Sequence, residues 1–181
     1  MPEICLLTGG SYNDVCQAIG GGKNVWIGNF KRENKYTYDV NNVIDGVAAG
    51  TPELFLFVHD AERIAFNQTG DYSEENNAVR QNLVLSIKGF DLDADARNKY
   101  LELVKAPMFA IVEAENGLFY MGGVDTPGRA FESNAGIGLL QTDQNGYNIS
   151  FRWKSKNGLF LVDPEILNAP DGITLIDSII S

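Results

Sequence analysis

The chain has 181 residues, of which 44% are hydrophobic and 21% charged, so it can form one globular domain with a sizeable core. Its 14 Lys and Arg residues against 24 Asp and Glu give a net charge of −10, which argues against sequence-specific DNA or RNA binding through a basic stripe. No apolar run is long enough to cross a bilayer, and Met1–Cys5 lacks the basic start and apolar core of a signal peptide. We therefore expect a protein that is made in a cytoplasm and has no membrane partner.

The N-terminal segment carries both cysteines, Cys5 and Cys16, in a spacing that no metal-ligand motif uses. We expect buried free thiols, since an unpaired cysteine behaves as a small hydrophobic residue. A Cys5–Cys16 disulfide is the alternative, and it would require an oxidising compartment. Apolar residues at helical spacing predict a short helix over Tyr12–Ile19, which Gly20 could end.

Apolar runs that are typical of β-strands recur through most of the chain. The continuous run Leu54–Val58 predicts a strand buried on both faces, and alternation in the other runs predicts strands with one buried face. The predicted strands are Asn24–Phe30, Glu53–Val58, Arg63–Gln68, Val79–Lys88, Met108–Val112, Leu118–Met121 and Tyr147–Trp153.

Turn-forming residues separate these strands. The pairs Asn116-Gly117 and Asn145-Gly146 each predict a type I′ hairpin turn, because both residue types tolerate positive φ. The polar segment Thr69–Asn77 predicts the tip of a long hairpin. Such a hairpin has no obvious task inside one compact domain, and strand edges are natural pairing surfaces. We therefore expect this tip to contact a neighbouring subunit through Gly70, Asp71 and Tyr72.

One helix is predicted from about Asp93 to Lys105, and Pro107 would stop it. Its buried face is expected to consist of Leu92, Ala96, Tyr100, Leu103 and Val104. The acidic residues at its start, Asp91, Asp93 and Asp95, can cap free N–H groups and interact favourably with the positive end of the helix dipole. They also resemble the start of a calcium loop, but Ala96 stands where that motif needs glycine.

No motif in the sequence predicts catalysis, a cofactor or a metal site. His59 is the only histidine, and no nucleophile elbow accompanies it. Gly22-Lys23 resembles the end of a phosphate-binding loop, but Gln17 and Asn24 break that pattern. We therefore expect a protein that is not an enzyme and that works through its shape.

The C-terminal segment is unusually apolar for a chain end. We expect one β-rich domain over residues 1–155, followed by an arm over residues 156–181. The arm would dock on a neighbouring subunit through Ile173, Leu175, Ile176, Ile179 and Ile180. The rival arrangement is that this tail fills a groove on its own domain.

Taken in order, several segments resemble a known group of proteins. They are the Gly-Gly-Lys segment that leads into a strand (Gly21–Ile27), the acidic Asn-Gly turn Glu113–Gly117, and the turn and strand Asp143–Phe151. The chain resembles small structural proteins of phages and prophages of Bacteroidetes-type hosts, and its layout is similar to that of phage tail tube proteins.

This resemblance implies a mainly β (α+β) fold, namely a β-sandwich or half-barrel with one flanking helix and long hairpin loops. It implies a virion protein, assembled in the host cytoplasm, whose hexameric rings stack into a tube. Its partners would be copies of itself and other tail proteins, with DNA as non-specific cargo in the lumen. The net negative charge would suit a lumen that DNA must not grip.

Two other interpretations stay open. The chain could be a virion protein outside the tube, such as a tail terminator, baseplate or head-decoration subunit. It could instead be a carbohydrate- or ligand-binding β-sandwich whose aromatic faces are supplied by Trp26, Tyr36, Tyr38 and Trp153.

Overall fold

The structure, a computed structural model, describes residues 22–59, 64–73, 78–90, 94–136, 146–155 and 158–176. It is mainly β with one helix, as predicted, and consists of a curled eight-stranded half-barrel and a second, four-stranded sheet. The helix α1 spans Ala94–Lys105. The strands are β1 Gly22–Asn29, β2 Lys35–Tyr38, β3 Ile44–Ala49, β4 Glu53–His59, β5 Ile64–Ser73, β6 Ala78–Phe90, β7 Met108–Ala114, β8 Phe119–Gly122, β9 Arg129–Gly136, β10 Gly146–Ser155, β11 Phe160–Val162 and β12 Thr174–Ile176.

The eight-stranded sheet has the order β12-β4-β1-β7-β8-β11-β3-β2. Its central strand β1 pairs antiparallel with β4 on one side and with β7 on the other. Alternation along β1 sends Val25 and Ile27 to one face and Trp26 to the opposite face, and all three are buried. A central strand of this sheet is therefore covered on both faces, which explains its nearly continuous apolar sequence.

The four-stranded sheet has the order β5-β6-β10-β9, and each neighbouring pair is antiparallel. Every second residue of β6, from Leu83 through Leu85 to Ile87, is buried against the first sheet. Their partners on β10 are Trp153, Phe151 and Ile149, which are buried in the same core. The opposite face of this sheet carries no described element, and we call it the open face.

The inter-sheet core depends on a close approach between Trp153 and Gly128. The Trp153 indole donates its Nε1–H to the carbonyl of Met108 at 3.0 Å. The backbone of Gly128 lies so near the ring that a Cβ at this position would overlap it, so glycine is the residue that permits this packing. Met108 and Gly128 also exchange two backbone hydrogen bonds, which tie β7 to the start of β9.

The helix is present as predicted, and it begins one residue after the predicted start. Tyr100, Leu103 and Val104 pack against the inter-sheet core, and the Tyr100 ring stacks on Tyr147 with a centroid distance of 4.4 Å. The predicted contacts of Leu92 and Ala96, like the caps at Asp91 and Asp93, lie outside what the structure describes. The short helix predicted at Tyr12–Ile19 and both cysteines also lie outside the described residues.

The turn at Asn116-Gly117 is present, but its predicted type is wrong. Gly117 has a φ of +78°, whereas positive φ at non-glycine residues in the described chain is confined to Asn42 and Asn168. Gly117 donates to the Ala114 carbonyl at 2.9 Å, which closes a turn before the left-handed glycine. A type I turn followed by such a glycine accommodates a three-residue hairpin loop, so Asn116 does not need positive φ. Asn145, in the second predicted turn, lies outside the described residues.

The predicted arm over residues 156–181 does not hold for its described part. β11 pairs with β8, and β12 pairs in parallel with β4, placing Leu175 opposite Leu54. Ile173 is 0% exposed, within a core formed by the same chain. Residues 158–176 therefore belong to the half-barrel, which is the rival arrangement. Leu175 and Ile176 are half-buried in β12, while Ile179 and Ile180 lie outside the described residues.

Candidate assembly surface

Two of the residues considered for chemistry lie in the described part of the eight-stranded sheet. Lys23 forms an ion pair with Glu113 at 3.0 Å, and the hydrogen bond to that carboxylate raises the pKa of Lys23. His59 ends β4, where its backbone lies opposite Asn24. Within the described ranges, no group of three or more His, Cys, Asp and Glu side chains could hold a metal ion.

A small pocket opens beside β2, but it leaves no room for a water molecule. It is lined by Phe30, Lys31, Asn34, Tyr36, Phe109, Gly123 and Val124. Ordinary ligand sites enclose roughly 300–1,000 Å³, so this pocket is far too small to be one. The Asn34 Oδ1 atom is buried without a hydrogen-bond partner, and the backbone of Gly50 packs directly against it. The pocket is therefore tight packing around a buried amide rather than a ligand site.

The aromatic residues considered for ligand binding do not form an accessible platform. Trp26 and Trp153 are both buried in the core, so neither ring can face a ligand. Burial raises the pKa of the Tyr36 hydroxyl well above its ordinary value and also raises that of Tyr38. Tyr38 is partly exposed, but its ring packs on Phe160 at a centroid distance of 5.4 Å. The arrangement is that of core and core-edge aromatics.

The turn between β2 and β3 is stabilised by the side chain of Asp39. The Asp39 carboxylate accepts backbone N–H groups of Asn41 and Val43, each at 2.8 Å. The Val43 donor is the main reason that the pKa of this carboxyl lies below its ordinary value. Val40 stands at the tip of this turn with 96% of its surface exposed.

The segment predicted as a hairpin tip, Thr69–Asn77, is mostly strand. Pairing between β5 and β6 continues from Ile64 opposite Ile87 to Ser73 opposite Ala78. Gly70, Asp71 and Tyr72 therefore lie in an ordered two-stranded ribbon, opposite Gln81, Arg80 and Val79. Polar residues form strand here because β6 supplies their backbone partners. Only residues 74–77 connect the two strands, and they lie outside the described part.

The ribbon projects beyond the rest of its sheet. β10 accompanies β6 only as far as Gln81, which lies opposite Ser155. Beyond this point the two paired strands β5 and β6 continue without a third described strand beside them. Gly70 lies at the base of the projection, and Asp71 and Tyr72 lie within it.

Two long strand edges flank the four-stranded sheet, and sequence reasoning missed one of them. β5 spans ten residues and β9 spans eight, and no other described strand pairs with the outer edge of either. Phe131, Glu132 and Ser133 are consecutive exposed residues of β9, so both faces of this edge meet solvent. Phe131 is the extra residue of a β-bulge, since Glu132 lies opposite Ser150 and Ala130 lies opposite Phe151. The polar sequence of β9 carries no alternation of apolar residues that would predict a strand.

Comparison with protein-family models, with curated proteins and with solved structures finds no match to this chain. Among the described residues, no helix is both long and apolar enough to span a membrane. The candidate function therefore follows from the geometry of the sheets and their edges.

Proposed function

We propose that this chain is a structural subunit that assembles with copies of itself into rings, and that stacked rings form a phage-tail type of tube that conducts DNA. The observation that carries the proposal is the pair of edges, β5 and β9, that no other described strand covers. An edge strand presents backbone N–H and C=O groups that can pair with another chain. Since the two edges flank the same sheet, each copy can pair with a neighbour on either side.

The strand directions favour such pairing. Because all neighbours in the sheet are antiparallel, β5 and β10 run one way and β6 and β9 run the other. Copies related by rotation around a ring would place β9 of one subunit beside β5 of the next, in antiparallel orientation. The sheet would thus continue across the interface without a change in pairing type. A head-to-tail contact of this kind closes into a ring when a whole number of copies completes one full turn. Closure then leaves no free strand edges.

The phage-tail part of the proposal rests on the sequence resemblance, together with the half-barrel and its flanking helix. The resemblance implies hexameric rings in a virion, assembled in a bacterial host, with other tail proteins at the ends of the tube. The ribbon of β5 and β6 projects from the sheet and would contact the next ring. A terminator, baseplate or head-decoration subunit would use the same edges without extended stacking.

Native mass spectrometry and electron microscopy of the purified protein test this proposal directly. We expect closed rings of one size, and tubes at higher protein concentration. Rings without tubes would favour a terminator, baseplate or decoration role. A monomer at all accessible concentrations would contradict self-assembly.

Proline substitutions test whether the β9 edge carries the ring contact. Along an edge strand, backbone donors alternate between the neighbouring strand and the free side. Of Glu132→Pro and Ser133→Pro, we expect the variant that loses an outward N–H to keep its fold but to form no rings. The matched controls are Thr37→Pro and Tyr38→Pro on β2, an edge of the other sheet. Rings from both β9 variants, with their folds intact, would exclude this edge as the interface.

A shortened ribbon separates ring formation from stacking. Replacing Asp71–Arg80 with an Asn-Gly turn would close the hairpin near Gly70 and keep β5 paired along the rest of its length. We expect this variant to form rings but no tubes. Full-length tubes would show that the ribbon is not the stacking element.

A further inference from the structure

Charge is distributed unevenly between the four-stranded sheet and the rest of the chain. Its strands contain Arg80, Lys88, Arg129, Arg152 and Lys154 against two carboxylates, Asp71 and Glu132. These four strands therefore carry a net charge of +3. Because the whole chain has a net charge of −10, the remaining residues carry −13. The sheet is thus a cationic region within an acidic protein.

Three of these cations share the open face. Arg152 lies opposite Val84 on β6 and opposite Arg129 on β9, so these residues form one cross-strand row. Lys154 is two residues further along β10 and lies on the same face. Arg129, Arg152 and Lys154 are all exposed. We call them the cationic row.

The cationic row is not neutralised within the described chain. The ion pair found among the described residues is Lys23 with Glu113, which lies in the other sheet. Two like charges directly opposite each other on neighbouring strands are unfavourable, and Arg129 and Arg152 have this arrangement. The guanidinium of Arg152 instead lies over the Phe131 ring, 4.1 Å from its centroid, which holds it in place by a cation–π contact. An unfavourable pair of this kind is relieved when an anion binds between the two cations.

We propose that the open face of the four-stranded sheet contacts the phosphate backbone of duplex DNA through the cationic row of Arg129, Arg152 and Lys154. This inference rests on the proposed ring, because the ring determines what the open face meets. Edge pairing places neighbouring copies beside the sheet, so they do not cover its open face. The core face of this sheet packs against the eight-stranded sheet, so the open face is the one that the ring can present to its lumen.

The chemistry of this face indicates backbone contact without sequence selection. Lys154 and the two arginines are suited to phosphate oxygens, and each phosphate contact releases counterions. Their neighbours on the face include the small side chains of Ala65, Ser86 and Ser150 and one carboxylate, Glu132, so the row and this carboxylate together carry a net charge of +2. None of these small side chains is long enough to read base edges. In this proposal, DNA makes weak, salt-sensitive contact along the row, whereas the net charge of the chain predicts a lumen that does not grip DNA.

Fluorescence anisotropy with a short labelled DNA duplex tests the inference. The test variant combines Arg129→Gln, Arg152→Gln and Lys154→Gln, and the control combines Lys31→Gln, Arg32→Gln and Lys35→Gln. Both lose the same charge, and all three control residues are exposed outside the four-stranded sheet. Between about 50 and 200 mM salt, removal of three phosphate contacts should reduce the slope of log K against log salt by about 2.7. We expect this reduction only in the test variant.

Several outcomes would overturn the assignment. One is that the wild type does not bind the duplex at low salt, and another is that both triple variants lose the same amount of DNA affinity. The others are that a single strand of the same sequence binds more tightly than the duplex, or that polyglutamate of matched charge displaces the duplex. Native mass spectrometry of the same samples keeps the two proposals apart. Rings that do not bind DNA would contradict the DNA-contact proposal alone. DNA binding by a protein that stays monomeric would contradict the proposed ring.

Discussion

Ile173→Ala tests where the C-terminal segment packs. The Ile173 side chain is fully buried in a core that includes Leu54 and Ile166. Its backbone donates to the Ile166 carbonyl at 2.9 Å and accepts from Asn168 at 2.7 Å, so the position is fixed. Removing such a side chain to alanine costs about 2–5 kcal/mol. For a domain of this size, each kcal/mol lowers the melting temperature by about 2–4 °C, so we expect a drop of roughly 4–20 °C.

The assay is thermal and urea unfolding of the variant and the wild type at two protein concentrations. If Ile173 packs within its own chain, the loss of stability is the same at both concentrations, because no association step is involved. Val40→Ala is the matched control. Its side chain is 96% exposed, so its effect should stay within about 0.5 kcal/mol.

A different pattern would refute this reasoning. If the tail docks on a neighbouring subunit, the Ile173→Ala monomer at low concentration would have the same melting temperature as the wild type. A deficit would then emerge only at concentrations where rings form. Truncation after Asp171 should likewise lower the melting temperature at both protein concentrations. A truncated monomer that is as stable as the wild type at low concentration would support the arm hypothesis instead.

Three further substitutions test the packing and the turn chemistry by urea unfolding. Leu103→Ala should cost about 2–5 kcal/mol because Leu103 is buried, while Leu101→Ala on the exposed side of α1 should cost under about 0.5 kcal/mol. Gly128→Ala should cost about 1–3 kcal/mol, because its Cβ would overlap the rigid Trp153 ring. Asp39→Ala should lower the urea midpoint near neutral pH. That difference should fade as pH falls through the lowered pKa of Asp39, because protonation removes the charged acceptor.

The elements that sequence predicts well are those whose signal is local. The helix α1 is recognisable because acidic residues precede it, Pro107 follows it, and Tyr100, Leu103 and Val104 recur on one face. The strands β1, β4, β6 and β10 are recognisable because their apolar residues show which faces are buried. In each case, the information lies within about ten residues of the chain.

Apart from the local β2–β3 hairpin, the elements that the sequence did not predict are those created by distant partners. β12 has three residues, and it is a strand because Leu175 lies beside Leu54 in β4. β9 is polar and becomes a strand through its pairing with β10. The residues Thr69–Ser73 have turn-like composition but extend β5, because β6 offers a continuous partner. Local propensity cannot report such pairing, since strand preference depends on the neighbouring strand.

The interface candidates show the same division. The apolar composition around Ile173 correctly indicates that these side chains need a partner surface, but composition cannot identify which chain supplies it. Gly70, Asp71 and Tyr72 are correctly placed on a hairpin, although as strand rather than loop. The β9 edge has no sequence signal of its own. It emerges only once the order of the four-stranded sheet is known.

Net charge is a similarly incomplete guide to what a surface binds. It sums the whole chain, whereas the potential at a surface is dominated by charges within a Debye length, about 8 Å at physiological salt. The β9–β10 register brings Arg129 beside Arg152, and β-strand periodicity adds Lys154 to the same face. An acidic chain can therefore present a cationic face. If both proposals hold, one four-stranded sheet provides the edges that close the ring and the face that its cargo touches. Edge variants should then abolish assembly without changing the cationic row, and row variants should change salt-dependent DNA contact without opening the ring.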